Sequence, residues 1–340
     1  MHGCDPLGYL DNAFLDRVRC AYRLALEAHS GPTGGMWNTI AKRQAQIHEA
    51  LLTDSNTGLR EIFSYPAATE LFYGADNLCH SVLKGQMPIG EDATAKTALR
   101  QVEEFLGEEI DFPNPFPGEF GANTDRGVAS YRAVHAAYQA WMVRTLLESR
   151  TESSVVEIGA GLGRTLYYLF CKGITDCTAI DLPIGMVAQA CFLGATLGPE
   201  RIWLPGDRPH FANGRVKLLF TGERLPDRTY DVALNVDSLT EMRWFTALRY
   251  VRWINQHAQV FLSINHDLNF FRVDEVARAG FDVLKCVQRT CPVRPGYVEE
   301  AYFLRGNPGQ RQPGSVVGLV ELVGKAWSRR MKYFVRSKMH

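Results

Sequence analysis

Apolar positions in the first third of the chain recur every three to four residues. From Asn12 to about Gln101 they make the stripe of amphipathic helices, with Phe14, Val18, Tyr22 and Leu26 on one face. The stripe ends at DFPNPFPGEFGANTD, Asp111 to Asp125, where prolines, glycines and Asp or Asn residues crowd together. No helix interior or central strand tolerates that composition. Residues 1–125 are therefore expected to form a helical N-terminal domain acting as a lid, acceptor pocket or dimerisation surface. A helix is predicted to resume from about Arg126 to Ser149.

After that helix the period changes. SVVEIG, CTAID, VKLLFT, YDVALNV and AQVFLSIN are short, apolar, rich in β-branched residues and bounded by turn residues or charges. Runs of this kind are buried parallel strands. FDVLKCVQR and VEEAYFLR read as a closing pair of strands. Strands alternating with helices predict an α/β fold, a doubly wound Rossmann-like sheet over residues 126–306, with ligands at the carboxyl ends of its strands. GNPGQRQPG, from Gly306, has the composition of a linker. Residues 307–340 are expected to be this linker followed by a basic amphipathic helix, with Val316, Val320, Val323, Trp327, Met331 and Phe334 on its apolar stripe. Such a stripe docks on its own protein or a dimer mate, and peripheral membrane contact is the alternative.

Composition narrows the class further. The chain has 340 residues, enough for one large domain or two ordinary ones. Its 37 Lys and Arg balance 37 Asp and Glu, so no global field draws it to nucleic acid, and no nucleic acid partner is expected. Eight cysteines are scattered without a C-x-x-C pair, which suits a reducing, cytoplasmic setting. The amino terminus lacks the pattern of a secretory signal, and no stretch of about 18 apolar residues is present to span a bilayer.

The chemistry concentrates in VVEIGAGLGRT. A strand, the acidic Glu157, three glycines at alternate positions (Gly159, Gly161 and Gly163) and a helix follow in immediate succession. Glycines permit the tight path and let the backbone, here with Ala160, approach a ligand closely, while the helix offers free N–H groups. A dinucleotide fingerprint would place its third glycine at Arg164, which is too large for close helix-to-strand packing. A nicotinamide oxidoreductase is disfavoured on that ground. Glu157 instead suits the cationic S-adenosyl-L-methionine, whose ammonium and sulfonium lie near such a loop. Asp181 ends the second strand, where a carboxylate accepts bonds from ribose hydroxyls. Leu182, Thr221 and Gly222, with the neighbouring Glu223, are placed near the adenine.

The reacting end is read from two further strand ends. NVDSLTEM delivers Asn235, assigned to the cofactor, Asp237 and, one turn on, Glu241, while SINHD delivers His266 and Asp267. Polar groups on adjacent strand ends converge on the crevice where an acceptor sits. A hydroxyl acceptor needs a base, and His266 is first choice, since histidine titrates near neutral pH. Asp237, Asp267 or Glu241 would orient it, and Asp237 or Glu241 is the next candidate base. A divalent ion on Asp237, His266 and Asp267 is an alternative. No metal is assigned.

The chain resembles the bacterial sugar O-methyltransferases. The resemblance rests on NTGLREIFSYPAATELFYGADNL, VVEIGAGLGR, IDLP, NVDSLTEM, FLSINHD and GYVEEAYFLR, together spanning roughly residues 36 to 305. It implies a class I methyltransferase fold, S-adenosylmethionine as donor and a sugar hydroxyl as acceptor. The run from Asp181 to Pro183 also looks like the ribose-binding turn of small-molecule O-methyltransferases. The stretch from Pro199 to Arg215 departs from the pattern as a long entry to the third strand, expected to form a substrate-side loop. Phe72, Tyr73, Gly74 and Asp76 are candidates for an acceptor pocket. Tyr131, Arg132 and His135 lie on a helix that would cover the methionine end. A non-sugar acceptor, polyketide or phenolic, and a non-catalytic binding module are the competing readings.

Overall fold

The computed structural model describes residues 8, 10–28, 45–53, 56–63, 93–119, 121–208, 214–222, 224–267, 271–294 and 296–305. Phe72, Tyr73, Gly74, Asp76, Glu223 and the whole segment 306–340 lie outside them.

Four helices come first: α1 (Asn12–Ala28), α2 (Ala45–Leu52), α3 (Asn56–Phe63) and α4 (Ala93–Leu106). A two-stranded hairpin, β1 (Ala122–Thr124) and β2 (Gly127–Ala129), precedes helix α5 (Tyr131–Leu146). The helix predicted from Arg126 thus begins five residues later. Ser130 caps it by accepting the Ala133 N–H at 3.1 Å, and Gly127 takes the left-handed φ of +110° that the hairpin needs.

The rest alternates strand and helix: β3 (Ser154–Ile158), α6 (Arg164–Cys171), β4 (Asp176–Asp181), α7 (Pro183–Leu197), β5 (Ile202–Trp203), β6 (Val216–Phe220) and β7 (Tyr230–Val236). Then come α8 (Trp244–His257), β8 (Ala258–His266), α9 (Val273–Gly280), β9 (Val283–Thr290) and β10 (Tyr297–Leu304). All seven predicted strands are present to within about two residues. Together with β5 they form one eight-stranded sheet in the order β5-β6-β4-β3-β7-β8-β10-β9. The pairings from β5 through β8 are parallel, and β10 runs antiparallel between β8 and β9. The order reverses between β3 and its neighbours β4 and β7, which is the switch point where such sheets hold ligands. The expected doubly wound Rossmann-like α/β class is the observed one.

The central strands are buried on both faces because each face carries its own core. One contains α1 and α5 to α7 with Val155, Ala179 and Leu218. The other contains α8 and α9 with Val156, Ile180 and Phe261. Helix α7, PIGMVAQACFLGATL, is apolar around most of its circumference because the sheet lies on one side and α1 on the other. Gly194 permits this, since a Cβ there would stand 2.6 Å from the Phe14 ring.

The stretch from Pro199 to Arg215 begins differently from the expected substrate-side loop. Ile202 and Trp203 are buried as the short edge strand β5, at the end of the sheet remote from β7 and β8. Arg17 of α1 grips the same segment, bonding Asp207 at 3.0 and 2.5 Å and the Ile202 carbonyl at 2.8 Å. No described helix is long and apolar enough to cross a membrane.

Candidate functional site

The site is assembled at the carboxyl ends of β3, β4, β7 and β8. Gly159, Gly161 and Gly163 all take left-handed φ, at +72°, +56° and +81°. Their surroundings differ. A Cβ on Gly159 would collide with the Ser238 side chain, and one on Gly163 would press Leu193 at 3.1 Å. Among the described residues a Cβ on Gly161 would meet nothing within 4 Å, so the middle of the turn is open towards them. Ala160, between them, packs partly buried against the core.

Glu157 lies beneath this turn, buried one residue before the end of β3 and paired with Ala179 of β4. Among the described residues its Oε2 has no hydrogen-bond partner. Burial first, and the Asp181 charge second, push its carboxyl up to about 8, against a hydrogen bond with Thr165. An orphaned buried carboxyl costs free energy unless something pairs with it. Asp181 is better provided for. It accepts the Gly161 N–H at 3.1 Å, the Leu182 N–H at 2.7 Å and the Gln189 amide at 2.7 Å. Burial still holds it up at about 6, despite the downward pull of those bonds. Thr221 closes the edge with its N–H on the Asp181 carbonyl at 2.7 Å, and Gly222 beside it is exposed with φ +105°.

Asn235 was expected to touch the cofactor, and the structure gives its side chain another task. It is fully buried, donates to the Ile158 carbonyl at 2.8 Å and to Ser238 Oγ at 2.6 Å, and accepts from the Leu239 N–H and Asn265. With both ends of its carboxamide engaged, it ties β3, β7 and β8 together.

Asp237 is also not placed as a proton acceptor. It adopts φ +62°, and its Oδ2 receives Arg132 Nη1 at 2.7 Å and Arg294 Nη1 at 2.5 Å. Burial alone would raise its carboxyl, but the charges of Arg132 and Arg294 outweigh it and hold the group at about 2. A carboxylate held so firmly ionised is a weak base near neutral pH. Arg294 is itself nearly buried, stacks 3.5 Å from the Tyr297 ring centroid and donates to the Tyr131 hydroxyl at 2.9 Å. Beside them His135 bonds the Val293 carbonyl, and burial together with Arg294 drives it well below its ordinary value.

His266 ends β8 half-buried, edge-to-face with Tyr297 at 4.9 Å and under the backbone of Gly296. Glu241 is half-buried in the turn from Leu239 to Glu241. Asp267 is exposed and pairs with Arg272 at 3.2 Å. Among the described residues no group of three His, Cys, Asp or Glu side chains is placed to hold a metal. The metal alternative therefore has Asp237 facing arginines and Asp267 facing Arg272.

Sequence reasoning singled out Arg132 only as a cover for the methionine end, and missed both its pairing with Asp237 and Arg294 altogether. Arg132 sits 105 positions away on α5, and Arg294 lies in CPVRPGY between β9 and β10. The flanking prolines were the one local sign that this hairpin tip is shaped. Arg164, which argued against a dinucleotide, is buried, bonded to Ser130 Oγ at 3.0 Å and paired with Glu119 at 2.5 Å.

No protein-family model matches the chain, and no curated protein matches its sequence. Among solved structures it is similar to the CcbJ methyltransferase from Streptomyces caelestis, at 12% identity and TM-score 0.38, over 50% of this chain and 90% of that one. An O-methyltransferase family protein from Burkholderia thailandensis matches at 12% identity and TM-score 0.34, over 53% and 60%. The cyclase SpnF matches at 10% identity and TM-score 0.38, over 62% and 93%. At these values the likeness carries no argument about activity, and a cyclase stands among the matches.

Proposed function

We propose that the chain is an S-adenosylmethionine-dependent methyltransferase acting on a hydroxyl of a sugar or glycosylated metabolite. The observation that carries the donor is Glu157 Oε2, unpartnered among the described residues, beneath a turn whose middle glycine meets none of them within 4 Å. A pyrophosphate would gain no counter-charge from a carboxyl there, whereas an ammonium pairs with its ionised form. Glu157 would hold the donor's ammonium, directly or through water, and the Asp181 oxygens keep acceptor capacity for ribose hydroxyls. Leu182, Thr221 and Gly222 would border the adenine. When bound, the donor supplies an electrophilic methyl on a sulfonium.

What remains for the chain is to align an acceptor and take its proton. His266 is assigned that proton, and Glu241 is the carboxylate that would serve in its place. Asp237 anchors Arg132 and Arg294 and thereby fixes the wall behind the acceptor. The sugar acceptor is supported by the resemblance of the sequence segments, from the N-terminal helices to the last strand.

Two measurements test this reading. Equilibrium dialysis should show uptake of S-adenosylmethionine and its thioether product but not of a nicotinamide dinucleotide; the reverse would overturn the donor assignment. A screen of glycosylated acceptors with labelled donor should then give a product whose formation falls about a hundred-fold or more in His266→Ala, with donor affinity unchanged. Near-normal turnover would transfer the role to Glu241.

A further inference from the structure

Many arginines of the described residues are engaged: Arg17 by Asp207, Arg126 by Glu103, Arg228 by Asp176, Arg289 by Glu299. Arg224, Arg249 and Arg252 are exceptions. Among the described residues none of the three has an ion-pair or hydrogen-bond partner, and all are exposed. They are gathered at one place. Arg224 and Leu225, in the connection from β6 to β7, form one wall of a groove of about 460 Å³; Phe245, Leu248, Arg249 and Arg252 of α8 form the other, over Trp253. Among the described residues no carboxylate lines it.

Three features bear on what such a groove holds. Guanidinium forks match phosphate oxygens two at a time, so a cluster of them without counter-charges favours phosphate. Phe245 is 82% exposed, a large aromatic ring left in water next to those charges. A planar base stacks on such a ring whatever its sequence of donors and acceptors. The volume lies in the range of small-ligand sites, roughly 300–1,000 Å³. The balanced net charge of the chain argues against a long polyanion, whose binding surfaces are extended and strongly basic.

We infer that this groove on the outer face of α8 is a nucleotide site, taking a diphosphate on Arg224, Arg249 and Arg252 and the base on Phe245. Its described lining includes no residue of the donor turn between β3 and α6 and none assigned to the proposed methyl transfer.

The test uses the full chain and uridine 5′-diphosphate, whose base avoids confusion with an adenine pocket. Titration should quench tryptophan fluorescence through Trp253 and give saturable binding. Arg249→Ala with Arg252→Ala should weaken it at least tenfold, and Phe245→Ala should weaken it while leaving pyrophosphate binding unchanged. Saturating S-adenosylhomocysteine should not compete. Because all three substituted side chains are exposed, the melting temperature serves as a check that the variants fold.

Absence of binding at millimolar nucleotide overturns the inference, as does binding that ignores the arginine changes. Pyrophosphate binding as tightly as the nucleotide reduces the groove to an anion patch and overturns it too. An oligonucleotide binding far more tightly, with a steep salt dependence, would make it a nucleic acid surface instead. A protein that binds uridine diphosphate here but no S-adenosylmethionine would sink the proposed function and leave this inference standing.

Discussion

Glu157→Gln provides the sharpest test of the donor site, because the wild-type carboxyl links ligand binding to protons. Its carboxyl rises from an ordinary 4.5 to about 8 on folding, through burial and the nearby Asp181 charge. At 1.36 kcal/mol per pKa unit that is on the order of 5 kcal/mol. A carboxyl whose folded value is raised contributes stability that is fully present below the unfolded value and lost as pH climbs through the folded one. The ligand-free protein should therefore lose stability between about pH 4.5 and 8, and Asp181, raised to about 6, adds to the lower part of that window. Near pH 7, roughly nine in ten Glu157 carboxyls are protonated. A bound ammonium reverses this, so S-adenosylmethionine should expel close to one proton at pH 7. Its affinity should tighten by up to about tenfold per pH unit from 6 to 7 and level off above 8. Calorimetry in phosphate and in Tris reads the proton directly from the difference in apparent enthalpy. Glu157→Gln should abolish the release, flatten the pH dependence of the melting temperature above pH 6 and weaken binding about tenfold or more at pH 8. Affinity independent of pH in the wild type, with no proton released, would refute the assignment of Glu157 to a cation.

The ion-pair cluster and the turn give two more expectations. Asp237→Asn keeps a side chain that tolerates left-handed φ but leaves the buried Arg294 without its counter-charge, so urea unfolding should report a loss on the order of 3 kcal/mol. The wild-type contribution, from a carboxyl depressed to about 2, is present above its ordinary 3.8 and disappears as pH falls through 2. Gly159→Ala and Gly161→Ala should separate structure from binding. The first collides with Ser238 and should lower the melting temperature strongly, while the second meets no described residue within 4 Å, costs about 1 kcal/mol for its positive φ and should chiefly reduce donor affinity.

The strands were legible because buried parallel strands are short apolar runs between turn residues, and SVVEI, YDVAL and AQVFLSIN carry that signal locally. Ile202 and Trp203 were not, since a two-residue edge strand has no period to detect. The early forecast for α5 failed at Gly127–Ala129, whose pairing with Ala122–Thr124 depends on a hairpin around Asp125 and Arg126. Ser130, three residues before the Ala133 amide it caps, marked the true start. In the candidate site, the closeness of Glu157, the glycines and Asp181 could be read because one strand-turn-helix unit and its neighbour carry them. The roles of Asn235 and Asp237 could not. Each is decided by partners such as Asn265, Arg132 and Arg294, which only the sheet order and the β9–β10 hairpin bring near.

Ser130 joins the two halves of the site. Its hydroxyl oxygen accepts the Ala133 N–H that starts α5 and also accepts Arg164 Nη1, from the first residue after the glycine turn. Two residues further along the same helix end, Arg132 reaches Asp237. Removing the hydroxyl therefore frees one backbone donor and one partner of a buried guanidinium, without touching any group assigned to donor or acceptor. Loss of the cap alone costs about 1 kcal/mol, and loss of the charged contact adds a comparable amount. Ser130→Ala should accordingly destabilise the protein by roughly 2 kcal/mol. Ser130→Thr, which keeps the acceptor, should restore most of it. If the helix end transmits the change, the donor should bind more weakly and the apparent pKa of Asp237, followed by carboxyl-carbon chemical shift, should move up from about 2 as Arg132 loosens. A variant that loses the stability yet keeps both donor affinity and the Asp237 titration would mean that the turn and the acceptor wall are held independently.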